Sequence, residues 1–184
     1  ASHRGLTAVL EADPVTCAYM LGHLEDAYQH ICHWYVAEAD EAVEAIVMVF
    51  TGHSVPVILT YGQTGGLEQV LNDSRSALPR RALAHLLPHH ISVLDVHFET
   101  AGLVPMVRMS LQADEFKAPS ESEWGIEPLS HRHTGQIVRL YEHYYADNWF
   151  DPAQLDSGHY CGILQDGELV SVAGVHAVSP KGRL

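Results

Sequence analysis

Asp166-Gly167 separates two β-prone apolar runs, Tyr160 to Leu164 and Leu169 to Val178. An Asp-Gly pair readily adopts the left-handed backbone of a two-residue turn, so the spacing predicts a hairpin. Upstream, Ile137, Leu140, Tyr141, Tyr144 and Tyr145 recur at i, i+3, i+4, i+7 and i+8. That is one face of an amphipathic helix, expected from Thr134 to Ala146 with Ser130 placed to cap it. Ile126 to Leu129 reads as a short strand and Asn148 to Leu155 as a short irregular helix. Nearly every side chain of Leu169 to Val178 is apolar, which predicts an internal strand covered on both faces.

The N-terminal part repeats this mixture. Asp13-Pro14 pairs a capping side chain with a proline suited to the first helical position. Cys17, Met20, Leu21, Leu24 and Tyr28 then mark a helix face running to about His30. His33 to Glu38, Glu44 to Phe50 and Val55 to Tyr61 are strand-like runs with short connections, which predict an antiparallel meander. A helix from Leu67 to about Arg75, a strand over Ala82 to Leu87, a helix from Ser92 to Thr100 and a strand over Pro105 to Leu111 complete this part. Proline, serine and acidic residues from Ala118 to Glu123 have the composition of a linker. The expected fold is α/β, with mixed, mainly antiparallel sheets in two related modules. The first spans residues 1–118, the linker 119–125 and the second, an incomplete module, 126–184.

Charge narrows the partners. The net charge of −13 comes from 23 acidic against 10 basic residues. No basic stripe is available to displace counterions, so a nucleic-acid partner is not expected, and an anionic membrane surface is disfavoured for the same reason. No apolar run approaches the ~20 residues that a membrane helix needs. Cys17, Cys32 and Cys161 are too few and too scattered for a disulfide framework and fit a reducing compartment. A soluble cytoplasmic protein is the expectation.

Several strings resemble a known family. Asn148-Trp149-Phe150-Asp151-Pro152, Gly158-His159-Tyr160-Cys161-Gly162 and Val172-Ala173-Gly174-Val175-His176 look like Gcn5-related N-acetyltransferases (GNAT) of a bacterial subfamily with an extra N-terminal domain. Leu10-Glu11-Ala12-Asp13-Pro14 and Leu21-Gly22-His23-Leu24-Glu25 are similar to the start of that companion domain. The resemblance implies an acyltransferase that moves an acetyl group from acetyl-coenzyme A to an amine. It further implies that residues 126–184 are the N-terminal half of the catalytic domain and that 1–118 form a GNAT-like companion. The family holds the cofactor pyrophosphate on an Arg/Gln-x-x-Gly-x-Gly/Ala loop at a helix N-terminus. This string is absent from the 184 residues, so the cofactor loop is expected beyond Leu184. A chain without it should bind acetyl-coenzyme A weakly or not at all.

By the same resemblance, Tyr145, Asn148, Trp149 and His176 are the expected substrate-binding residues, lining the side of the cleft that takes a small-molecule or peptide amine. Tyr141 and Tyr144 read more simply as core residues at helical spacing. Glu142, His143, Asp147 and His176 are the titratable groups near this region, without a catalytic acid or base being assigned among them. His89-His90 and His131-x-His133 lack further ligands at the spacing of a closed metal site, so no metal is expected. Gly62-Gln63-Thr64-Gly65-Gly66 sits between a strand and a helix and reads as a turn with a helix cap. The rival reading is a non-catalytic GNAT-like module for ligand sensing or for dimerisation through an open sheet edge.

Overall fold

The computed structural model describes residues 3–24, 28–112, 114–117, 125–146, 148–176, 178–179 and 182–183. It is mixed α/β, as expected, and divides into two compact units, Ala1–Met109 and Ser110–Leu184. Of the expected linker 119–125, all but Gly125 lies outside the described residues.

In the N-terminal unit, helix α1 (His3–Glu11) and the short α2 (Ala18–Gly22) precede a meander of β1 (Cys32–Ala39), β2 (Ala42–Phe50) and β3 (Val57–Gly62). Helix α3 (Thr64–Asp73) follows, then β4 (Leu83–His85) and the one-turn α4 (Ile91–Leu94). The sheet order is β1-β2-β3-β4. The first two pairings are antiparallel, with Val47 opposite Tyr35 on one side and Thr60 on the other. β4 joins parallel to β3, with Val57 opposite Leu83 and Leu59 opposite His85. A parallel partner needs a crossover, and the segment containing α3 supplies it.

β2 is the spine because both its faces are covered. Ala45, Val47 and Val49 share a cluster with Leu67, Val70 and Leu71 of α3 and with Leu94 of α4. Alternation turns Ile46 and Met48 to the opposite face, where both are fully buried, and α1 also contacts β2. Gly66 lets α3 approach this closely: a Cβ there would meet the Glu44 Cβ at 2.9 Å and the Ala45 Cβ at 3.0 Å.

Three expectations fail in this unit. Of the helix expected from Asp13 to about His30, α2 is the described part: Asp13 accepts from the Thr16 N–H (3.2 Å) as a cap does, but the backbone from Pro14 to Cys17 is turn, and residues 25–27 lie outside the described residues. The helix over Ser92 to Thr100 stops at Leu94. Pro105 to Leu111, which runs past the end of this unit at Met109, alternates like a strand but pairs with none among the described residues. Met106, Val107 and Met109 are 78%, 88% and 87% exposed.

In the C-terminal unit, β5 (Ile126–Pro128) leads through a 3-10 turn (His131–His133) into α5 (Thr134–Tyr144). A second 3-10 segment (Pro152–Ser157) precedes β6 (Tyr160–Gln165) and β7 (Glu168–Gly174). The expected hairpin forms, with Asp166 at φ 52° and Gly167 at φ 84° in its turn. Ser130 caps the 3-10 turn that opens into α5: its backbone N–H donates to His133 Nδ1 at 3.0 Å. Leu129, Ile137, Leu155, Tyr160 and Leu169 form the core. The strand expected to be internal is not. The order β5-β6-β7 puts β7 at the sheet edge, only Leu169 of that strand is buried, and the strand ends at Gly174. Its apolar run reads as covered on both faces, but among the described residues no strand lies beyond it. Val178–Ser179 instead pairs with Gly182–Arg183 in a separate two-stranded ladder.

Candidate functional site

The four expected site residues all belong to the C-terminal unit, and two of them, Trp149 through its main-chain carbonyl and His176 through its ring, meet a side chain outside that set, Gln154. Asp151-Pro152-Ala153-Gln154 is a capping box at the start of the second 3-10 segment. Asp151 Oδ1 accepts from the Ala153 N–H at 2.8 Å, and Gln154 Oε1 accepts from the Asp151 N–H at 3.3 Å. Gln154 thereby turns back over the segment instead of pointing away from it.

Two further groups meet its amide. Tyr160 Oη lies 2.7 Å from Oε1, and His176 Nδ1 lies 2.7 Å from Nε2. Nε2 also faces the Trp149 carbonyl at 3.4 Å. Trp149 and His176, 27 positions apart by their numbers, are thus joined through one carboxamide. His176 follows the end of β7, where the Val175 N–H donates to the His159 carbonyl at 3.2 Å and extends the ladder by one step. Gly174 makes room for the assembly, because a Cβ there would collide with the Tyr160 ring.

Tyr145 and Asn148 play a different part. The Tyr145 N–H closes α5 on the Tyr141 carbonyl at 2.7 Å. Asn148 Nδ2 donates to the Tyr145 carbonyl at 2.9 Å, and its Oδ1 accepts from the Phe150 N–H at 3.0 Å. Both amide ends of Asn148 therefore hold the turn after α5. Tyr145 itself is 61% exposed, its ring edge-on to Tyr141 with centroids 6.4 Å apart. Tyr141, Phe150 and Tyr160 continue the aromatic row at 5.8 and 5.7 Å. Burial, and then Tyr141, push the Tyr160 phenol up to about 12. It stays a neutral donor across the physiological range.

Sequence reasoning missed Gln154 and Tyr160. The capping-box spacing of Asp151 and Gln154 was legible, but a local motif cannot reveal that the same amide reaches a strand end 22 residues away.

The N-terminal unit carries an open cleft of about 800 Å³ at the ends of β2 and β3. Ala8, Ala12 and Val43 form apolar wall, and Glu44, Tyr61 and Gln63 bring polar groups to it. Burial, then Cys17 and Asp13, raise the Tyr61 phenol. The Gly62 to Gly66 loop is the turn and helix start expected, with the Gln63 N–H donating to the Glu44 carbonyl at 2.8 Å. Among the described residues of the lining, Glu44 is a carboxylate and none is a lysine or arginine, which does not favour the diphosphate of coenzyme A.

The histidine pairs hold no metal cluster: among the described residues no group of three or more His, Cys, Asp or Glu converges. His131 Nε2 lies 2.7 Å from the Asp156 carboxylate on the surface. His90 is fully buried in the N-terminal unit, bonded at both ring nitrogens. Among the described residues no helix is long and apolar enough to cross a membrane. No protein-family model, no curated protein and no solved structure matches the chain.

Proposed function

We propose that this chain belongs to an N-acetyltransferase, which moves the acetyl group of acetyl-coenzyme A to an amine, and that its C-terminal unit supplies the acceptor side. One observation carries the reading. The His176 ring, expected at the acceptor site, and the main-chain carbonyl of Trp149 meet on a single amide beside an aromatic row. An apolar wall with a few fixed hydrogen-bonding groups suits an amine of moderate size. In the reaction the neutral amine attacks the thioester carbonyl, the C–N bond forms, the C–S bond breaks and the thiolate leaves and takes up a proton. These residues would orient the amine and its neighbouring oxygens. None of the described residues is assigned to the cofactor's diphosphate, so weak binding of coenzyme A by this chain is part of the proposal.

The test is release of coenzyme A thiol from acetyl-coenzyme A at high concentration across a panel of small amines and peptides. No amine-dependent release with any acceptor sinks the reading. A second reading, a non-catalytic ligand-sensing module, rests on the cleft of about 800 Å³ in the N-terminal unit. A thermal shift induced by a small molecule, without turnover, would favour it.

A further inference from the structure

The cleft at the ends of β2 and β3 has a chemistry of its own. Ala8 and Ala12 stand one turn apart on α1 and line it with small apolar side chains, and Val43 and Leu87 continue that wall. Glu44 brings the charge. It sits in β2 one residue before Ala45, whose pairing with Gly62 is the last step of the ladder with β3. Its carbonyl accepts from the Gln63 N–H at 2.8 Å, and Gly66 packs against its Cβ, so the backbone that carries the carboxylate is held in place. Among the described residues no Lys, Arg or His comes within ion-pair distance of that carboxylate. The Gln63 carboxamide and the His89 ring make no hydrogen bond among the described residues either, His89 meeting the His90 ring with centroids 4.2 Å apart. The Tyr61 phenol, raised by burial, stays neutral. The cleft thus combines one anion without a counter-charge, several polar tips and an apolar wall, in a volume of about 800 Å³ that suits a small molecule.

We propose that this cleft of the N-terminal unit binds an organic monocation, a protonated amine with an apolar body, whose head pairs with Glu44 while its body lies on Ala8, Ala12 and Val43. The inference rests on the ligand-sensing reading and gives it a ligand class; it does not depend on acetyl transfer in the other unit. The apolar wall holds hydrocarbon bodies of one shape alike, so the head group decides. A carboxylate attracts an ammonium and repels a second carboxylate, which makes the site selective by charge. The net charge of −13 draws cations toward the whole surface, so a site must be told from that field by its position.

Titration calorimetry and thermal shift of the 184-residue chain with hexylamine, hexanol and hexanoate at pH 8 give the test. Hexylamine, protonated at that pH, is expected to bind about fivefold more tightly than hexanol, the gain of one exposed ion pair, with hexanoate the weakest of the three. Glu44 is exposed, so Glu44→Gln keeps the fold and the side-chain size and should erase the preference for the amine. Glu68→Gln removes the same charge from an exposed position on α3 outside the lining and should keep that preference. Equal losses in the two variants would assign the effect to the overall field and overturn the proposal. Amine binding unchanged in Glu44→Gln would put the ligand outside this cleft and overturn it as well. Hexanol or hexanoate binding as tightly as hexylamine would remove the cation class and leave the ligand-sensing reading standing. No binding by any of the three overturns the proposal, while a thermal shift with another small molecule would still support ligand sensing.

Discussion

Thr60 Oγ1 lies 2.7 Å from His90 Nδ1, across 30 residues of chain. The other ring nitrogen, Nε2, lies 2.9 Å from the Gly62 carbonyl. A carbonyl can only accept, so Nε2 carries the proton and Nδ1 accepts from the threonine hydroxyl. His90 is fully buried, and it clasps the end of β3 beyond the point where β4 stops pairing with it. In a parallel pair that ends early, the exposed backbone groups of the longer strand need another partner, and here a side chain serves.

Removing that ring should be costly. His90→Leu leaves the Thr60 hydroxyl and the Gly62 carbonyl without their partner, at about 1–3 kcal/mol for each buried orphan. A loss of roughly 3 kcal/mol in unfolding free energy is expected, measured by urea denaturation. Thr60→Val removes one bond and should cost about 1–2 kcal/mol. A His90→Leu protein as stable as the parent would show that the clasp contributes nothing.

Acid should weaken the N-terminal unit for a related reason. Burial lowers His23, His85 and His90 below the usual 6.5. Above that pH both folded and unfolded forms are neutral at these rings and stability is full. As pH falls below 6.5 the unfolded chain takes up protons that the folded one resists, so stability declines until the folded rings titrate. Each histidine contributes a slope of at most about 1.4 kcal/mol per pH unit. Urea midpoints at pH 7.5, 6 and 5 should fall in that order, and His90→Leu should flatten part of the decline. A midpoint constant from pH 7.5 to 5 contradicts the assignment.

Local chemistry was legible where one short motif settles the geometry. Asp166-Gly167 and the spacing of Ile137 to Tyr145 each specify a local structure without distant help, and both elements form. What failed depended on neighbours. The alternation of Pro105 to Leu111 is a strand pattern, yet a strand exists only beside another, and none pairs with it among the described residues. The apolar run after Asp166-Gly167 suggested cover on both faces, but coverage is set by sheet order, which places β7 at the edge. The candidate site divides the same way. Trp149 and His176 were visible as residue types, while the amide that joins them depends on how a 3-10 segment lies against the end of a strand.

Two glycines of one loop should respond in opposite senses to alanine. Gly62 has φ 108°, and a Cβ there would collide with the Glu44 carbonyl oxygen. Gly62→Ala combines backbone strain with a clash against a strand that cannot move, and a loss of about 2–4 kcal/mol is expected. Gly65 lies in the first turn of α3 with open space around the position of a Cβ. Gly65→Ala should be neutral or stabilise by up to about 1 kcal/mol through helix propensity. Equal effects in thermal unfolding would mean that the loop does not hold this conformation.

Tyr160 ties the C-terminal core to the Gln154 amide, and its alkaline behaviour should report on both. Burial, then Tyr141, raise its phenol from 10 to about 12. The sign follows from proton binding: above pH 10 the unfolded chain releases the proton that the folded one retains. The stabilisation is full below pH 10, declines as pH rises and is gone above the folded value. A two-unit shift corresponds to roughly 2–3 kcal/mol at the limit. Cys17 and Cys32, raised to about 12 and about 11 by burial, add alkaline losses of the same sign in the other unit. Tyr160→Phe separates the contributions. It removes the donor to Gln154 and should cost about 1 kcal/mol at neutral pH. Its stability should then fall less steeply than the parent's between pH 10 and 11.5, because no phenol remains there to ionise. Parallel alkaline curves for the two proteins would show that the Tyr160 hydroxyl is not held as described.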